Sequence, residues 1–179
     1  MVYIILGTGF EEAEAIIPGD LLRRAGVDVK FAGIGALCIT GSHGIPVTAD
    51  CIVEDTELTG ADMIVLPGGL GGVESIRKSR ETLRAVRQMY EKGKYVAAIC
   101  AAPTVLAELG ITDGRMATCY PGCEAMMGSA RTCQASVVVD GNVITGRAPG
   151  TAFDFALKLI EVLRDKQTAE AVAAGAVYR

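Results

Sequence analysis

Short apolar runs alternate along this chain with longer stretches of helical periodicity, and each run ends in a turn of small residues. Three runs are continuous enough to be buried strands with a turn directly after them: Val2–Leu6 before Gly7-Thr8-Gly9, Met63–Leu66 before Pro67-Gly68-Gly69, and Tyr95–Ile99 before Cys100-Ala101-Ala102-Pro103. Strands of this kind that alternate with helices form a mostly parallel sheet covered on both faces. The pattern predicts a three-layer α/β sandwich.

The remaining elements follow from the same periodicities. A helix is expected from about Glu11 to Ala25 with Gly26 as its C-terminal cap, followed by a strand over Val27–Phe31. Residues 36–51 and 137–145 have the composition of short strands or hairpins. Further helices are expected over three segments: Arg80–Glu91, Pro103–Leu109, and an amphipathic helix to about Leu163 that Thr151 caps.

Composition excludes several classes of function. The 179 residues contain no repeat or linker, so one domain over residues 1–179 is expected. The net charge of −4 argues against nucleic acid or an anionic membrane as the main partner. No apolar run reaches the ~20 residues of a membrane span. The segment Met1–Leu6 lacks the basic start of a signal peptide, and we therefore expect a cytoplasmic protein.

The cysteines and the single histidine limit the possible chemistry. Cys119 and Cys123 form one closely spaced pair without a second, and His43 is the sole imidazole among 179 residues. We therefore expect no structural zinc site, which needs four such ligands. A catalytic dyad or triad with histidine would have to use His43. If the chain is an enzyme, a carboxylate is the expected partner of its nucleophile.

Cys100 lies at the most informative of the three strand ends. A strand that turns at once into a helix, with a nucleophile at the corner, has the geometry of a nucleophile elbow. The N-terminus of the following helix is expected to lower the pKa of the thiol toward the reactive thiolate. Backbone N–H groups around Gly68 and Gly69 would stabilise an oxyanion if that loop lies beside the elbow. Alternatively, Cys100 is a small buried hydrophobic residue and the glycines serve only a tight turn.

Glu14 is the candidate acid. It shares one face of the first helix with Phe10, Ile17 and Leu21, whereas Glu12 points the opposite way and is expected, with Glu11, to be solvated. A carboxyl group on an apolar stripe has a raised pKa and serves as a hydrogen-bond donor or a general base. Pro18, four residues later, is expected to disturb the helix at residue 14. The alternative is a boundary carboxylate that reaches water.

Motifs along nearly the whole chain resemble the ThiJ/PfpI superfamily, and within it the DJ-one branch, that of the parkinsonism-associated protein deglycase. The resemblance rests on segments in the expected order: Gly9-Phe10-Glu11-Glu12-Ala13-Glu14, Pro18, Arg23-Arg24-Ala25-Gly26, Leu66-Pro67-Gly68-Gly69, Ala97-Ala98-Ile99-Cys100-Ala101-Ala102-Pro103 and Pro149-Gly150-Thr151. It implies a flavodoxin-like sandwich of the class I glutamine amidotransferase-like type and a homodimer. It also implies catalytic roles for Cys100 and Glu14, with oxyanion donors at Gly68, Gly69 and Ala101.

Two departures from the superfamily pattern bear on mechanism. The residue after the cysteine is Ala101, where peptidase-like relatives have histidine, which argues against a Cys–His–acid peptidase. Tyr120 stands where some members of the branch have histidine, and with an ordinary pKa of ~10 a tyrosine is a poor proton shuttle at neutral pH. Cys119 resembles a second cysteine near the site, or is a buried strand-end residue. His43 is either at the pocket mouth or an ordinary loop histidine.

Two functions follow as expectations, neither of which requires a metal or a cofactor. The first is an enzyme acting on small 2-oxoaldehydes or their adducts with protein side chains, of glyoxalase III or deglycase type. The second is a redox-sensing stress protein or chaperone whose Cys100 is oxidised without turnover. Arg24, spaced to pair with Asp20, is a further candidate at the pocket or a subunit contact.

Overall fold

The protein is described here by a computed structural model that covers residues 1–178. The strands, in chain order, are β1 (Val2–Leu6), β2 (Val29–Gly33), β3 (Cys38–Thr40), β4 (Pro46–Thr48), β5 (Cys51–Ile52), β6 (Met63–Leu66), β7 (Tyr95–Ile99), β8 (Met116–Ala117), β9 (Arg131–Thr132), β10 (Val137–Asp140) and β11 (Val143–Gly146). The α-helices are α1 (Glu12–Arg24), α2 (Leu70–Lys78), α3 (Arg80–Glu91), α4 (Pro103–Glu108), α5 (Ala152–Leu163) and α6 (Lys166–Gly175).

The order of the strands places the three predicted turns side by side at the carboxyl ends of the central strands. That order is β10-β11-β7-β6-β1-β2-β5, and neighbouring strands are parallel except for β10 and β11. The chain leaves β1 toward β2 and later returns to β6 on the other side of β1. Ligands in open α/β sheets bind outside the carboxyl ends of strands where the order reverses in this way. The turns after β1, β6 and β7 are therefore neighbours at the place where a site is expected.

Helices cover both faces of the sheet. One layer contains α1, α5 and α6, with α5 packed on the other two, and the opposite layer contains α2, α3 and α4. The core between them is aliphatic, and all residues of β1 and β6 are buried. The expected flavodoxin-like three-layer sandwich is confirmed. Within residues 1–178, no helix combines the length and the apolar character that crossing a membrane requires.

The first helix and its exit show why one predicted strand is displaced. Gly26 has a φ of +70°, and the N–H of Val27 donates to the carbonyl of Leu22 at 3.0 Å. This bond belongs to a Schellman cap, which uses the two residues after the helix. Val27 therefore completes the cap, and the strand is Val29–Gly33 rather than Val27–Phe31. The helix itself is confirmed and continues through Pro18.

Both predicted hairpins form, and Thr151 is the N-cap residue of α5 as predicted, but its side chain makes no capping hydrogen bond. β3 pairs antiparallel with β4, and β10 with β11. Thr151 precedes α5, but its hydroxyl donates to the carbonyl of Ala148 at 2.9 Å and accepts from the N–H of Ala148 at 3.1 Å. Because both partners of the hydroxyl belong to Ala148, it is not aimed at the N–H groups of α5. Its bonds stabilise the short 3₁₀ turn at Pro149–Thr151.

Candidate active site

Cys100 occupies a backbone corner between β7 and α4. Its φ is +67°, in the left-handed region that non-glycine residues rarely adopt. The corner is fixed on both sides, because the N–H of Cys100 donates to the carbonyl of Gly146 at 3.0 Å and its carbonyl accepts from the N–H of Tyr120 at 2.7 Å. Such a conformation costs on the order of 1–3 kcal/mol and is concentrated at functional sites. The structure has the predicted elbow.

Glu14 lies behind the elbow, fully buried on the apolar face of α1 as the periodicity predicts. Its Oε2 accepts from the N–H of Gly68 at 2.8 Å. Its Oε1 has no hydrogen-bond partner that meets ordinary geometry within residues 1–178, although the thiol of Cys100 is near enough for a hydrogen bond to affect the pKa of both groups. A buried polar oxygen left in this way is costly unless it takes part in proton exchange or binding.

The backbone donors around the sulfur differ in part from those expected. The N–H groups of Gly69 and Ala101 hydrogen-bond toward the Cys100 sulfur and lower the pKa of its thiol. Gly68, by contrast, donates its N–H to Glu14. Because that proton is already shared with a buried carboxylate, Gly68 is not a free oxyanion donor, and the expectation for this residue is wrong. Gly69 and Ala101 remain candidates.

Burial raises the proton affinity of both groups. Burial raises the pKa of Glu14 to about 7, against hydrogen bonds from Cys100 and Gly68 that lower it. Burial also raises the pKa of the Cys100 thiol, and the charge of Glu14 and its hydrogen bond raise it further. The expected lowering by the helix N-terminus is therefore wrong, since α4 begins only at Pro103 and burial outweighs its dipole. The repulsion from Glu14 exists only while that carboxyl is ionised, so the pair titrates as a unit.

A cavity of about 540 Å³ opens above the elbow. Cys100 is 8% exposed and lies at its floor, so a small molecule in the cavity reaches the sulfur. Glu14 does not line the cavity and lies behind the sulfur. The lining residues come from the turns after β1, β6 and β7 and from the segments that surround them: Gly9, Glu11, Ser42, His43, Gly69, Leu70, Gly71, Cys100, Ala101, Tyr120, Cys123 and Pro149.

Glu12 holds the loop that forms one wall of this cavity by hydrogen bonds, and it is not the solvated residue expected from the sequence. It is 7% exposed, because residues 41–45 fold over it. One of its carboxylate oxygens accepts from the N–H of His43 at 2.8 Å, and the other contacts the Nδ1 of His43 at 2.9 Å and the hydroxyl of Ser42 at 3.2 Å. These bonds lower the pKa of Glu12 to about 2, against its burial, which raises it.

Glu11, Glu12 and His43 also form a group whose donor atoms lie within 4.8 Å of one another, close enough in principle to hold a metal ion. The geometry is explained without one. Both oxygens of Glu12 already accept hydrogen bonds, and the separation between Glu12 and the Nδ1 of His43 is that of a hydrogen bond. The group therefore acts as a fastener for the loop that carries Ser42 and His43.

The other candidate pocket residues divide into two groups. His43 and Tyr120 line the cavity. Cys119 does not line the cavity and is only 1% exposed. Its burial raises the pKa of its thiol to about 11. Arg24 is also outside the cavity. It lies at the far end of α1 and pairs with Asp20 at 2.8 Å, so its assignment to the pocket is wrong.

Several lining residues were not anticipated from the sequence. Leu70, which is 83% exposed, Ser42 and Cys123 all face the cavity. Ser42 lies beside His43 in the turn of a predicted hairpin, so an analysis of that loop would have found it. Leu70 follows directly after Gly68 and Gly69 and is the first residue of α2. The glycines within α2 do not favour a helix, so the sequence did not predict this helix.

Comparison with known proteins gives a consistent result. Residues 1–162 match the family model described as the DJ-1/PfpI family. The chain is 40% identical over 175 residues to protein dj-1beta of Drosophila melanogaster, covering 96% of this chain and 94% of the relative. It is 34% identical over 165 residues to a deglycase of Pyrococcus abyssi, covering 91% and 99% of the two chains.

Solved structures agree with these relatives. The crystal structure of Drosophila melanogaster DJ-1beta has a TM-score of 0.92 at 38% identity and covers 99% of this chain and 97% of that chain. The oxidized DJ-1 of Toxoplasma gondii has a TM-score of 0.94 at 34% identity, with 99% and 97% covered. The family model spans most of the chain, and full-length relatives exceed 30% identity. The chain belongs to the DJ-1/PfpI family.

Proposed function

We propose that this protein is a cofactor-independent cysteine enzyme that acts on small 2-oxoaldehydes or on their early adducts with protein side chains. The observation that carries the proposal is the position of Cys100 between a cavity and a buried acid. Its sulfur is at the cavity floor, and Glu14 lies behind it on the far side of the bare Cα of Gly68. A pKa of about 7 suits Glu14 to accept and return protons at neutral pH.

The first step is addition of sulfur to the aldehyde carbon. Glu14 takes the proton of the Cys100 thiol, and the sulfur forms a bond to the carbonyl carbon as the C=O electron pair moves to oxygen. The N–H groups of Gly69 and Ala101, which are directed at the sulfur, stabilise the resulting oxyanion beside it. Glu14 returns the proton to that oxygen, which completes a hemithioacetal and leaves its carboxylate ionised for the next step.

Later steps give either of two outcomes. With methylglyoxal, Glu14 removes the hydrogen from the aldehyde carbon and returns a proton to the neighbouring carbon, so that the first is oxidised as the second is reduced. Water then hydrolyses the thioester to lactate and frees the thiol. With a hemiaminal adduct, the sulfur of Cys100 forms a bond to the adduct carbon as the bond from that carbon to nitrogen breaks. Glu14 protonates the departing amine. The deglycase name of the Pyrococcus abyssi relative supports the second outcome.

We extend the proposal to a homodimer, which the family resemblance implies, and to a cytoplasmic location, which the sequence leads us to expect. Sedimentation of the purified protein and cell fractionation would test these two points.

The decisive experiment measures lactate made from methylglyoxal by purified wild type and by Cys100→Ser. We expect lactate formation in the wild type and none above background in the variant. Cys133→Ser, which changes a half-buried cysteine outside the cavity lining, is the matched control and should behave as wild type. Lactate formation that persists in Cys100→Ser would rule out the mechanism.

A second candidate function is favoured by the oxygen-binding character of the same corner. The N–H groups of Gly69 and Ala101 face the sulfur, and the unpartnered Oε1 of Glu14 lies behind it, an arrangement that suits sulfinate oxygens. In this alternative, two equivalents of peroxide convert the thiol to a sulfinic acid and are reduced to water. A gain of two oxygens at Cys100 under mild peroxide, together with no turnover of methylglyoxal, would favour the sensor over the enzyme.

A further inference from the structure

The cavity above Cys100 has an uneven distribution of charge. Among its lining residues, Glu11 and His43 are the ones whose side chains carry charge near neutral pH, and the described lining contains no lysine or arginine. Two further carboxyl groups lie directly behind the lining, Glu12 under the loop and Glu14 under the sulfur. The cavity therefore has acidic groups on two sides.

The charge of His43 does not balance these acids. Its Nδ1 lies 2.9 Å from Glu12 and 3.6 Å from Glu11, so one imidazolium faces two carboxylates. The cluster has a net charge of −1 when His43 is protonated and −2 when it is neutral. The hydrogen bond with Glu12, followed by the charges of Glu11 and Glu12, raises the pKa of His43. The mouth is thus negative in both states of the imidazole.

Two arginines influence cysteines beside the cavity, but neither lies in its lining. Arg77 influences the pKa of Cys123, but its guanidinium pairs with Glu108 at 2.7 Å. Arg147 influences the pKa of Cys119, and its guanidinium donates to the carbonyl of Cys133 at 3.4 Å. Neither guanidinium lines the cavity. An anionic solute that approaches the sulfur therefore meets the net negative charge of Glu11, Glu12 and His43 at the cavity wall.

We propose that the cavity selects its ligands by charge, and that Glu11 is the specificity-determining residue. It admits neutral carbonyl compounds and cationic adducts of amines or guanidines, and it rejects anionic ones such as 2-oxo acids and phosphorylated aldehydes. This rests on the proposed function only in placing the substrate at Cys100. The discrimination itself is a property of the cavity and is measurable without turnover.

The test compares the rates at which charged methanethiosulfonates modify Cys100. The thiolate attacks the sulfenyl sulfur, forms a mixed disulfide and expels methanesulfinate, so the reaction needs no other reactant. Three reagents differ in the group they carry: trimethylammonium, hydroxyl or sulfonate. Peptide mass spectrometry assigns the modified site, and the exposed Cys38 in the same molecule normalises the intrinsic rates.

We expect the cation-to-anion rate ratio at Cys100 to exceed that at Cys38 severalfold at low salt. Glu11→Gln should reduce it by roughly threefold to tenfold, the effect expected from removing one charge from the cavity lining. Gln can still accept the bond that the Ser42 hydroxyl donates to Glu11 at 3.1 Å, which preserves the loop. Glu170→Gln, which removes an exposed carboxylate on α6 outside the lining, is the matched control and should leave the ratio unchanged.

Equal ratios at the two cysteines, or a ratio insensitive to Glu11→Gln, would overturn the proposal. So would failure of all three reagents to modify Cys100, because the proposal requires a cavity that admits small solutes. A protein that shows the expected ratio yet makes no lactate from methylglyoxal would retain the charge selection and lose the proposed enzymatic function.

Discussion

Glu14 and Cys100 approach each other across the bare Cα of Gly68. A Cβ at that position would lie 2.6 Å from the Oε2 of Glu14, 2.8 Å from the Cβ of Cys100 and 3.1 Å from its sulfur. The first two separations are shorter than nonbonded atoms tolerate and the third is tight, so the acid and the thiol reach this arrangement because residue 68 has no side chain. Gly68 therefore sets the spacing of the site and does not serve only a tight turn.

Replacing Gly68 with alanine should therefore impair the site while leaving every reactive group in place. We expect Gly68→Ala to lower methylglyoxal turnover at least tenfold and to cost about 1–3 kcal/mol of unfolding free energy, the range for overpacking a buried position. Turnover and urea denaturation measure the two effects. Gly60→Ala is the control, because a Cβ there meets no atom within 4 Å. Equal behaviour of the two variants would contradict the spacing role.

Glu14→Gln should separate the reactivity of the thiol from turnover. Removing the carboxylate removes a charge that raises the pKa of Cys100, so thiolate forms at lower pH. We expect faster alkylation of Cys100 by iodoacetamide at pH 7, by up to tenfold for a shift of one pKa unit, yet slower lactate formation because no acid carries the proton. A pH titration of the alkylation rate provides the measurement. An unchanged titration in the variant would show that the two groups are not coupled.

The buried carboxyl group also predicts how stability depends on pH. The pKa of Glu14 is about 7 in the folded protein, above its ordinary value of 4.5. A group whose pKa is raised by folding stabilises the protein fully below its unfolded pKa, and this contribution is lost as pH rises through the folded value. Relative to Glu14→Gln, the wild type should lose up to about 3 kcal/mol between pH 4.5 and 7.5. Denaturation of both proteins across this range would show it, and parallel curves would contradict it.

The loop that carries His43 should be protected in a defined pH window. Glu12 has its pKa lowered to about 2, so its contribution is complete above 4.5 and is lost as pH falls through 2. His43 has a raised pKa, so its contribution is complete below 6.5 and is lost as pH rises through the folded value. We expect Glu12→Gln to accelerate amide hydrogen exchange at His43 severalfold at pH 5.5. Glu74→Gln, on the exposed face of α2, should leave that rate unchanged.

The sequence predicts most of the architecture because local periodicity and burial agree there. The runs Val2–Leu6, Met63–Leu66 and Tyr95–Ile99 are strands with unchanged bounds. Prediction fails where tertiary contacts decide. α2 contains Gly71 and Gly72, which disfavour a helix, but a Cβ at Gly72 would lie 2.6 Å from the Cα of Phe10. That glycine is needed for close packing, and the helix forms despite its low propensity.

The candidate site is predictable to a similar extent. The elbow at Cys100 and the burial of Glu14 follow from strand ends and helical periodicity. The engagement of Gly68 by Glu14 and the covering of Glu12 by the loop after β3 each join residues roughly thirty to fifty positions apart. Such pairings have no local signature in a single sequence. The pKa of Cys100 depends on the same long-range burial, which is why a helix dipole alone gave the wrong direction.

The position of Glu14 beneath the sulfur, without exposure to solvent, has a consequence for isotopes. A hydrogen that this acid takes from a molecule bound to Cys100 is screened from bulk water by the adduct itself. It therefore exchanges slowly during the lifetime of that adduct. In heavy water, a hydrogen that Glu14 transfers between adjacent carbons would therefore appear in the product and would not be replaced by solvent deuterium.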